Sequence, residues 1–191
     1  MHQKKISSCK AVVIGGSAGS FSVVSKILSH IQADFKYPII ISMHRLKHLR
    51  TGLLEGLQIK SKLPVIEPFD KDRIEPGNVY LAPSNYHMFI EIDASISLST
   101  EDVLNHSRPS IDYTFSSAAT VFRDKMVGIM LTGANKDGAA GMKQVYDKNG
   151  YTIVQDPATC DMETMPKAVL QLFTPDQILS PQGIIDFLNN L

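Results

Sequence analysis

The sequence predicts a doubly wound α/β fold: a mostly parallel, Rossmann-like sheet in three α/β/α layers, with an antiparallel hairpin. Three observations predict it. Short apolar runs end in Gly-rich or polar turns and lead into segments of helical apolar spacing, the alternation that builds parallel sheets. The middle of the chain instead alternates apolar and polar residues over short stretches. The length of 191 residues, 43% of them hydrophobic and 20% charged, suits one domain with a sizeable core and no need of staples.

The elements follow in order. Ala11–Ile14 reads as a short buried strand running into Gly15-Gly16-Ser17-Ala18-Gly19-Ser20. A helix follows, with Phe21, Val24, Leu28 and Ile31 at helical spacing. Ile39–Met43 is a second apolar strand ending at His44, and Leu49, Leu53 and Leu57 then mark one side of a helix. Val65-Ile66 begins a short strand. Segments 78–82 and 87–92 alternate around Pro83-Ser84-Asn85, which predicts an antiparallel hairpin, with a third short strand near 95–99. Arg108-Pro109-Ser110 signals a helix start with Ser110 as N-cap, and Ile111, Phe115, Ala118 and Phe122 form its apolar stripe. The clearest central strand, 126–131, breaks at Thr132–Gly138. The next helix runs to Asn149, with Gly150 as its stop. A strand at 151–154 and helices near 165–173 and 183–189 complete the chain.

Composition excludes some functions. Nineteen basic residues balance nineteen acidic ones, so no global charge points to nucleic acid or an anionic membrane. Cys9 and Cys160 form no C-x-x-C pair, which argues against a disulfide framework or a zinc knuckle. The first apolar stretch, from Ala11 to Ile14, is too short to span a bilayer, and no leader pattern precedes it. The expectation is a soluble cytoplasmic protein without membrane insertion.

In a doubly wound sheet, ligands bind beyond the carboxyl ends of the strands. Three predicted strands end at Ser17, His44 and Asp137. A serine hydroxyl becomes a nucleophile when a base takes its proton, and histidine titrates in the right range to take and return it. A carboxylate fixes the imidazole tautomer and stabilises its charged form. The Gly-rich turn leaves backbone N–H groups free at a helix N-terminus, where an oxyanion can sit. Each piece has a competing reading. Gly15–Ser20 could cradle a nucleotide phosphate, although G-G-S-A-G-S is not G-x-G-x-x-G and the second strand ends in His44 rather than an acidic residue. His44 and His48 have a spacing that can bind zinc but lack a neighbouring glutamate and a third ligand. Asp137 could simply cap the helix that follows it. Cys160 reads as a small buried apolar residue, and His2, His30, His87 and His106 show no partner pattern.

Six segments in order carry a resemblance: V-V-I-G-G-S-A-G, I-I-S-M-H, P-G-N-V-Y-L-A-P, R-P-S-I-D-Y-T-F, M-L-T-G-A-N-K-D-G-A-A-G-M and T-I-V-Q-D-P-A-T-C…M-P-K-A-V. From Cys9 to Gln177 the chain resembles the catalytic domain of the chemotaxis protein-glutamate methylesterase, the CheB family. The resemblance implies a single catalytic domain over residues 1–191 that hydrolyses γ-glutamyl methyl esters on the cytoplasmic helices of methyl-accepting chemoreceptors, releases methanol and also deamidates glutamine. It implies no metal and no cofactor. It assigns Ser17 as nucleophile, His44 as base and Asp137 as the acid, with oxyanion donors at the backbone N–H groups of Ala18 and Ala134. The order Ser, His, Asp differs from that of α/β-hydrolases.

The chain departs from the family pattern beside these residues. The first loop is usually G-A-S-T-G-G; here Ala18 and Ser20 replace a threonine and a glycine. A backbone donor survives at position 18, a hydroxyl does not. Arg45-Leu46-Lys47 stands where the family has Met-Pro-Pro, and G-A-N-K-D-G replaces G-M-G-N-D-G, so Ala134 replaces a methionine and Lys136 sits beside the acid. Arg45, Lys47 and Arg50 form either a solvated face or a basic rim for a glutamate-rich helix. The family's receiver domain is absent ahead of the first strand, which implies a stand-alone form or a regulatory part elsewhere. Two alternatives to the methylesterase stay open: an esterase of the same fold with another substrate, and a non-catalytic signalling or binding module.

Overall fold

The computed structural model describes residue 6 and residues 8–44, 52–105 and 107–191. Seven strands form one parallel sheet: β1 (Ala11–Gly16), β2 (Ile39–Met43), β3 (Val65–Ile66), β4 (Val79–Leu81), β7 (Met126–Met130), β8 (Tyr151–Gln155) and β9 (Gln177–Leu179). Their spatial order is β3-β4-β2-β1-β7-β8-β9. From β1 the chain winds first toward β2 and later, from β7, toward β8 and β9. The order therefore reverses between β1 and β7, which makes their carboxyl ends the switch point where a crevice opens.

Burial on both faces explains why the central strands read as unbroken apolar runs. Val12, Ile14, Ile39 and Ile41 face one core, shared with α1 (Ser20–His30), α2 (Leu53–Lys60) and α6 (Pro181–Asn189). Ala11, Val13 and Ile40 face the other, shared with α3 (Ile111–Phe122), α4 (Ala139–Asp147) and α5 (Thr164–Leu172). The predicted stripe of α3 is buried throughout: Ile111, Phe115, Ala118 and Phe122 all lie in the second core. Each such side chain contributes roughly 1.5–3 kcal/mol through removal from water.

The three-layer prediction holds, and several details change. The hairpin does not join the strands on either side of Pro83-Ser84-Asn85. β4 lies in the main sheet, parallel to β2 and β3, and the antiparallel pair is β5 (His87–Ile90) with β6 (Ile96–Ser99). All three residues of β4 are buried, the mark of an interior parallel strand rather than a half-exposed hairpin arm. The hairpin turn is Asp93-Ala94: Ala94 takes a positive φ of 61°, and the Asp93 carboxylate accepts from the Ser95 N–H and hydroxyl. β1 runs two residues past its expected end, to Gly16. β9 was not predicted. α4 ends at Asp147, and the left-handed residue after it is Asn149, φ 64°, rather than Gly150. Leu49 lies outside the described residues, so the second helix is seen from Leu53.

α3 crosses close over β1 because Gly15 has no side chain. A Cβ there would stand 2.5 Å from Ile111 Cγ2 and 2.6 Å from Phe115 Cε2. Two buried, well-packed side chains cannot yield that distance without moving the helix. Gly15→Ala is therefore expected to lower the unfolding free energy by about 2 kcal/mol through overpacking. Urea denaturation checks this, and an unchanged midpoint would contradict it.

Candidate active site

Strand register brings the first two site residues together. Gly16 is in register with Met43, so Ser17 and His44 are the first residues beyond neighbouring strands, roughly 4.8 Å apart across the sheet. The His44 N–H donates to Gly16 O at 3.3 Å. On the other side of β1, the Ser17 N–H donates to Thr132 O at 3.0 Å. The turn after Ser17 closes on itself: the Ser20 hydroxyl donates to Ser17 O at 2.6 Å. Thr132 ties this turn to the loop before α5. Its hydroxyl oxygen accepts the Met162 N–H at 2.9 Å, and its proton lies within reach of Ala18 O at 3.1 Å and Met162 O at 3.0 Å. Buried Gln155 accepts the Thr132 N–H at 3.0 Å and donates to Thr159 O at 3.0 Å. Among the described residues, the N–H groups of Ala18 and Ala134 meet no acceptor.

Asp137 is fully buried, and five donors surround its carboxylate. Oδ2 takes His44 Nε2 at 2.7 Å and the Ile111 N–H at 2.7 Å. Oδ1 takes the Ser110 hydroxyl at 2.9 Å, Asn105 Nδ2 at 3.1 Å and the Asp112 N–H at 3.3 Å. The local expectation for both residues changes. Ser110 occupies the N-cap position of α3 but makes no side-chain cap; its hydroxyl goes to Asp137 instead. Asp137 does not cap α4, whose N-cap is Gly138. It caps α3 from another part of the chain. Gly138 allows the approach: its φ is +91°, and a Cβ there would stand 2.6 Å from Ile111 Cγ2.

The electrostatics follow from this cradle. Burial alone would push the Asp137 carboxyl up, but His44, the Ile111 N–H and Asn105 outweigh it and hold the group below the usual carboxylate range. Asp112 moves the other way. Burial, helped by the adjacent Asp137 charge and opposed by the Gly141 N–H, pushes its carboxyl up to about 6. Asn105 bridges the two carboxylates, donating to Asp112 Oδ2 at 3.0 Å as well as to Asp137.

With Nε2–H directed at Asp137, Nδ1 is the imidazole nitrogen left with a lone pair. Its neighbour is Asn135 Nδ2 at 3.3 Å. The Ser17 hydroxyl makes no hydrogen bond to a described residue. The fold thus joins two of the expected three side chains directly and sets the third at the adjacent strand end. Arg45, Lys47, His48 and Arg50 lie outside the described residues, as does His106. Cys9 and Cys160 are partly buried thiols that burial pushes up to about 11, so neither is poised as a nucleophile.

Sequence reasoning missed Asn105, Asp112, Asn135, Thr132 and Gln155. Buried His87 also has partners: its Nδ1 accepts the Ser110 N–H at 3.1 Å, and Nε2 donates to Asp102 O at 3.1 Å. A signal did exist for Ser110 and Asp112. Both belong to R-P-S-I-D-Y-T-F, one of the segments that carry the family resemblance, in which Ser110 alone reads as a helix cap and Asp112 has no assigned role.

Comparison with known proteins gives a consistent result. The family model described as CheB methylesterase matches residues 12–188. A Leptospira interrogans protein, provisionally named as a protein-glutamate methylesterase/protein-glutamine glutaminase, is 37% identical over 182 residues, covering 95% of this chain and 94% of its own length. A Thermotoga maritima protein of the same name is 32% identical over 187 residues, 96% of this chain but 54% of its own length. A Geobacter metallireducens relative is 35% identical and likewise matched over 53% of its length. The crystal structure of the Thermotoga maritima CheB methylesterase catalytic domain superposes with a TM-score of 0.90 at 31% identity, covering 96% of this chain and 98% of that one.

Asp112 gives the cradle a measurable pH signature. Its raised value means that the folded chain holds this proton more tightly than the unfolded chain, where the carboxyl titrates near ~3.9. The stabilisation it supplies is fully present below about pH 4 and is lost as pH rises through about 6. Urea unfolding of the wild type and Asp112→Asn should show the wild type's relative advantage greatest near pH 4 and declining toward pH 7. A constant difference across that range would contradict the assignment.

Proposed function

Because the chain belongs to the CheB methylesterase family, we propose that it hydrolyses γ-glutamyl methyl esters on the cytoplasmic helices of methyl-accepting chemoreceptors, and deamidates glutamine in the same site. The proposal gives Ser17 the role of nucleophile, His44 that of base and Asp137 that of orienting acid. The observation that carries it is the 2.7 Å bond from His44 Nε2 to the buried Asp137 carboxylate, made at the strand end next to that of Ser17. The names of the relatives support the substrate class. Among the described residues no helix is long and apolar enough to cross a membrane.

In this mechanism the Ser17 hydroxyl donates its proton to His44 Nδ1 as Oγ forms a bond to the ester carbonyl carbon. The carbonyl π pair moves to oxygen, and the N–H groups of Ala18 and Ala134 receive the oxyanion. The Asp137 charge stabilises the imidazolium and keeps its Nε2–H in place. Collapse breaks the carbon–methoxy bond, and Nδ1–H protonates the leaving oxygen, releasing methanol. Water then repeats the sequence on the acyl-enzyme: His44 takes a proton from water, glutamate leaves as the acid, and Ser17 regains its hydroxyl. For glutamine the leaving group is ammonia. No metal or cofactor enters these steps.

Ser17→Ala should lower methanol release from methylated receptor helices roughly a thousandfold or more while leaving the unfolding midpoint near that of the wild type. A folded Ser17→Ala protein with wild-type turnover would overturn the mechanism. A wild type that releases no methanol but hydrolyses other esters would overturn the substrate.

A further inference from the structure

We propose that Asn135 is a positioning residue that occupies the free nitrogen of His44 in the resting site and yields it to Ser17 when a polypeptide substrate binds. This rests on the roles proposed above for Ser17 and His44. The Asn135 side chain is fixed at one end: its Oδ1 accepts the Asp137 N–H at 3.1 Å. That bond decides which end of the amide is which and turns Nδ2 toward the imidazole, 3.3 Å from His44 Nδ1. The tautomer is equally constrained, because Nε2 faces the Asp137 carboxylate at 2.7 Å and so carries the proton. Nδ1 has one lone pair and accepts one hydrogen. While the amide of Asn135 uses it, the Ser17 hydroxyl cannot, and a hydroxyl without its base is a poor nucleophile.

The two bonds on the imidazole differ in strength. The bond to Asp137 is short and charge-assisted and sets the direction of the ring. The bond to Asn135 is at the long end of the hydrogen-bond range and is not needed to hold the ring, so it can be given up. A polypeptide lying across the 132–138 loop offers carbonyl oxygens to which the Asn135 amide can turn. A small ester offers one carbonyl, which the oxyanion donors take. The arrangement therefore discriminates by substrate size at the base itself: the nucleophile is armed only when the amide has another acceptor.

Asn135→Ser separates the two functions of the side chain. A serine hydroxyl can still accept the Asp137 N–H but is too short to reach Nδ1. Two readouts test the proposal on the whole chain. In long-range 15N spectra, the His44 Nδ1 resonance should move downfield in Asn135→Ser as its lone pair loses a donor, with the Nε2–H tautomer retained. Labelling of Ser17 by a fluorophosphonate and hydrolysis of p-nitrophenyl acetate should both rise about three- to tenfold, a larger gain than on methylated receptor helices. Asn135→Ala should move the small-substrate rates in the same direction. Slower or unchanged small-substrate rates in a folded Asn135→Ser protein, or an unmoved Nδ1 resonance, would overturn the proposal. A wild type whose Ser17 is never labelled would overturn the catalytic reading instead, and the Nδ1 resonance would still decide whether Asn135 holds the imidazole.

Discussion

One buried carboxylate ties together parts of the chain that lie far apart in sequence. Asp137 lies in the loop after β7, yet its oxygens receive the first N–H groups of α3, the hydroxyl of Ser110, the amide of Asn105 and the imidazole of His44. Removing a carboxylate from water costs several kcal/mol even after relaxation. Here the cost is offset by charge-assisted hydrogen bonds and by the positive end of α3, whose N-terminal N–H groups would otherwise lack acceptors. The same bonds that keep Asp137 ionised also fix where α3 begins. Capping α3 and orienting His44 are therefore one interaction seen from two sides, and removing the carboxylate would leave both the helix end and the imidazole unsatisfied.

The sheet supplies the geometry that this interaction needs. β1 lies between β2 and β7, so its end, the end of β2 and the loop after β7 converge at the switch point. Gly15 lets α3 lie close over β1, and Gly138 lets the Asp137 backbone approach the first turn of that helix. Both glycines pack against Ile111, the residue whose N–H meets Asp137. The close approach of helix to sheet and the cradle of the acid thus depend on the same few contacts. Asn105 and Asp112 add a second tier. Asn105 reaches both carboxylates, and the Gly141 N–H donates to Asp112 at 2.7 Å, so the start of α4 is tied to the start of α3.

How much of this was legible in the sequence depended on distance along the chain. The strands 39–43 and 126–130 and the stripe of α3 were legible because burial on both faces, or on one helical face, writes a periodic signature into neighbouring residues. The three strand ends were legible as candidate positions for Ser17, His44 and Asp137 for the same reason. The hairpin partner was not, since the pairing of β5 with β6 rather than β4 is decided by which strand the sheet can bury. β9 was not, because a three-residue edge strand with no fully buried residue carries too little pattern. The cap of α3 was hidden by locality: Ser110 sits where a cap should be, and Asp137 sits ahead of its own helix. Local rules therefore gave each the wrong partner, since the two lie 27 positions apart in the chain.

The residues beside the acid and base matter for a different reason than those that build the fold. Ser20 keeps the first turn closed through its bond to Ser17 O, so a serine there preserves the shape a small residue would allow. Ala18 and Ala134 are exposed and Asn135 is half-buried, and among the described residues the N–H groups of the two alanines meet no acceptor. They act on the lone pair and the donors that the proposed reaction consumes. A chain can therefore keep the Asp137 cradle intact, and with it the sheet, α3 and the imidazole, while the loop 132–138 resets how readily the base is released. In the proposed mechanism the stability of the site is held at His44 Nε2, on the buried Asp137 side, and its reactivity is set at Nδ1, where Asn135 sits.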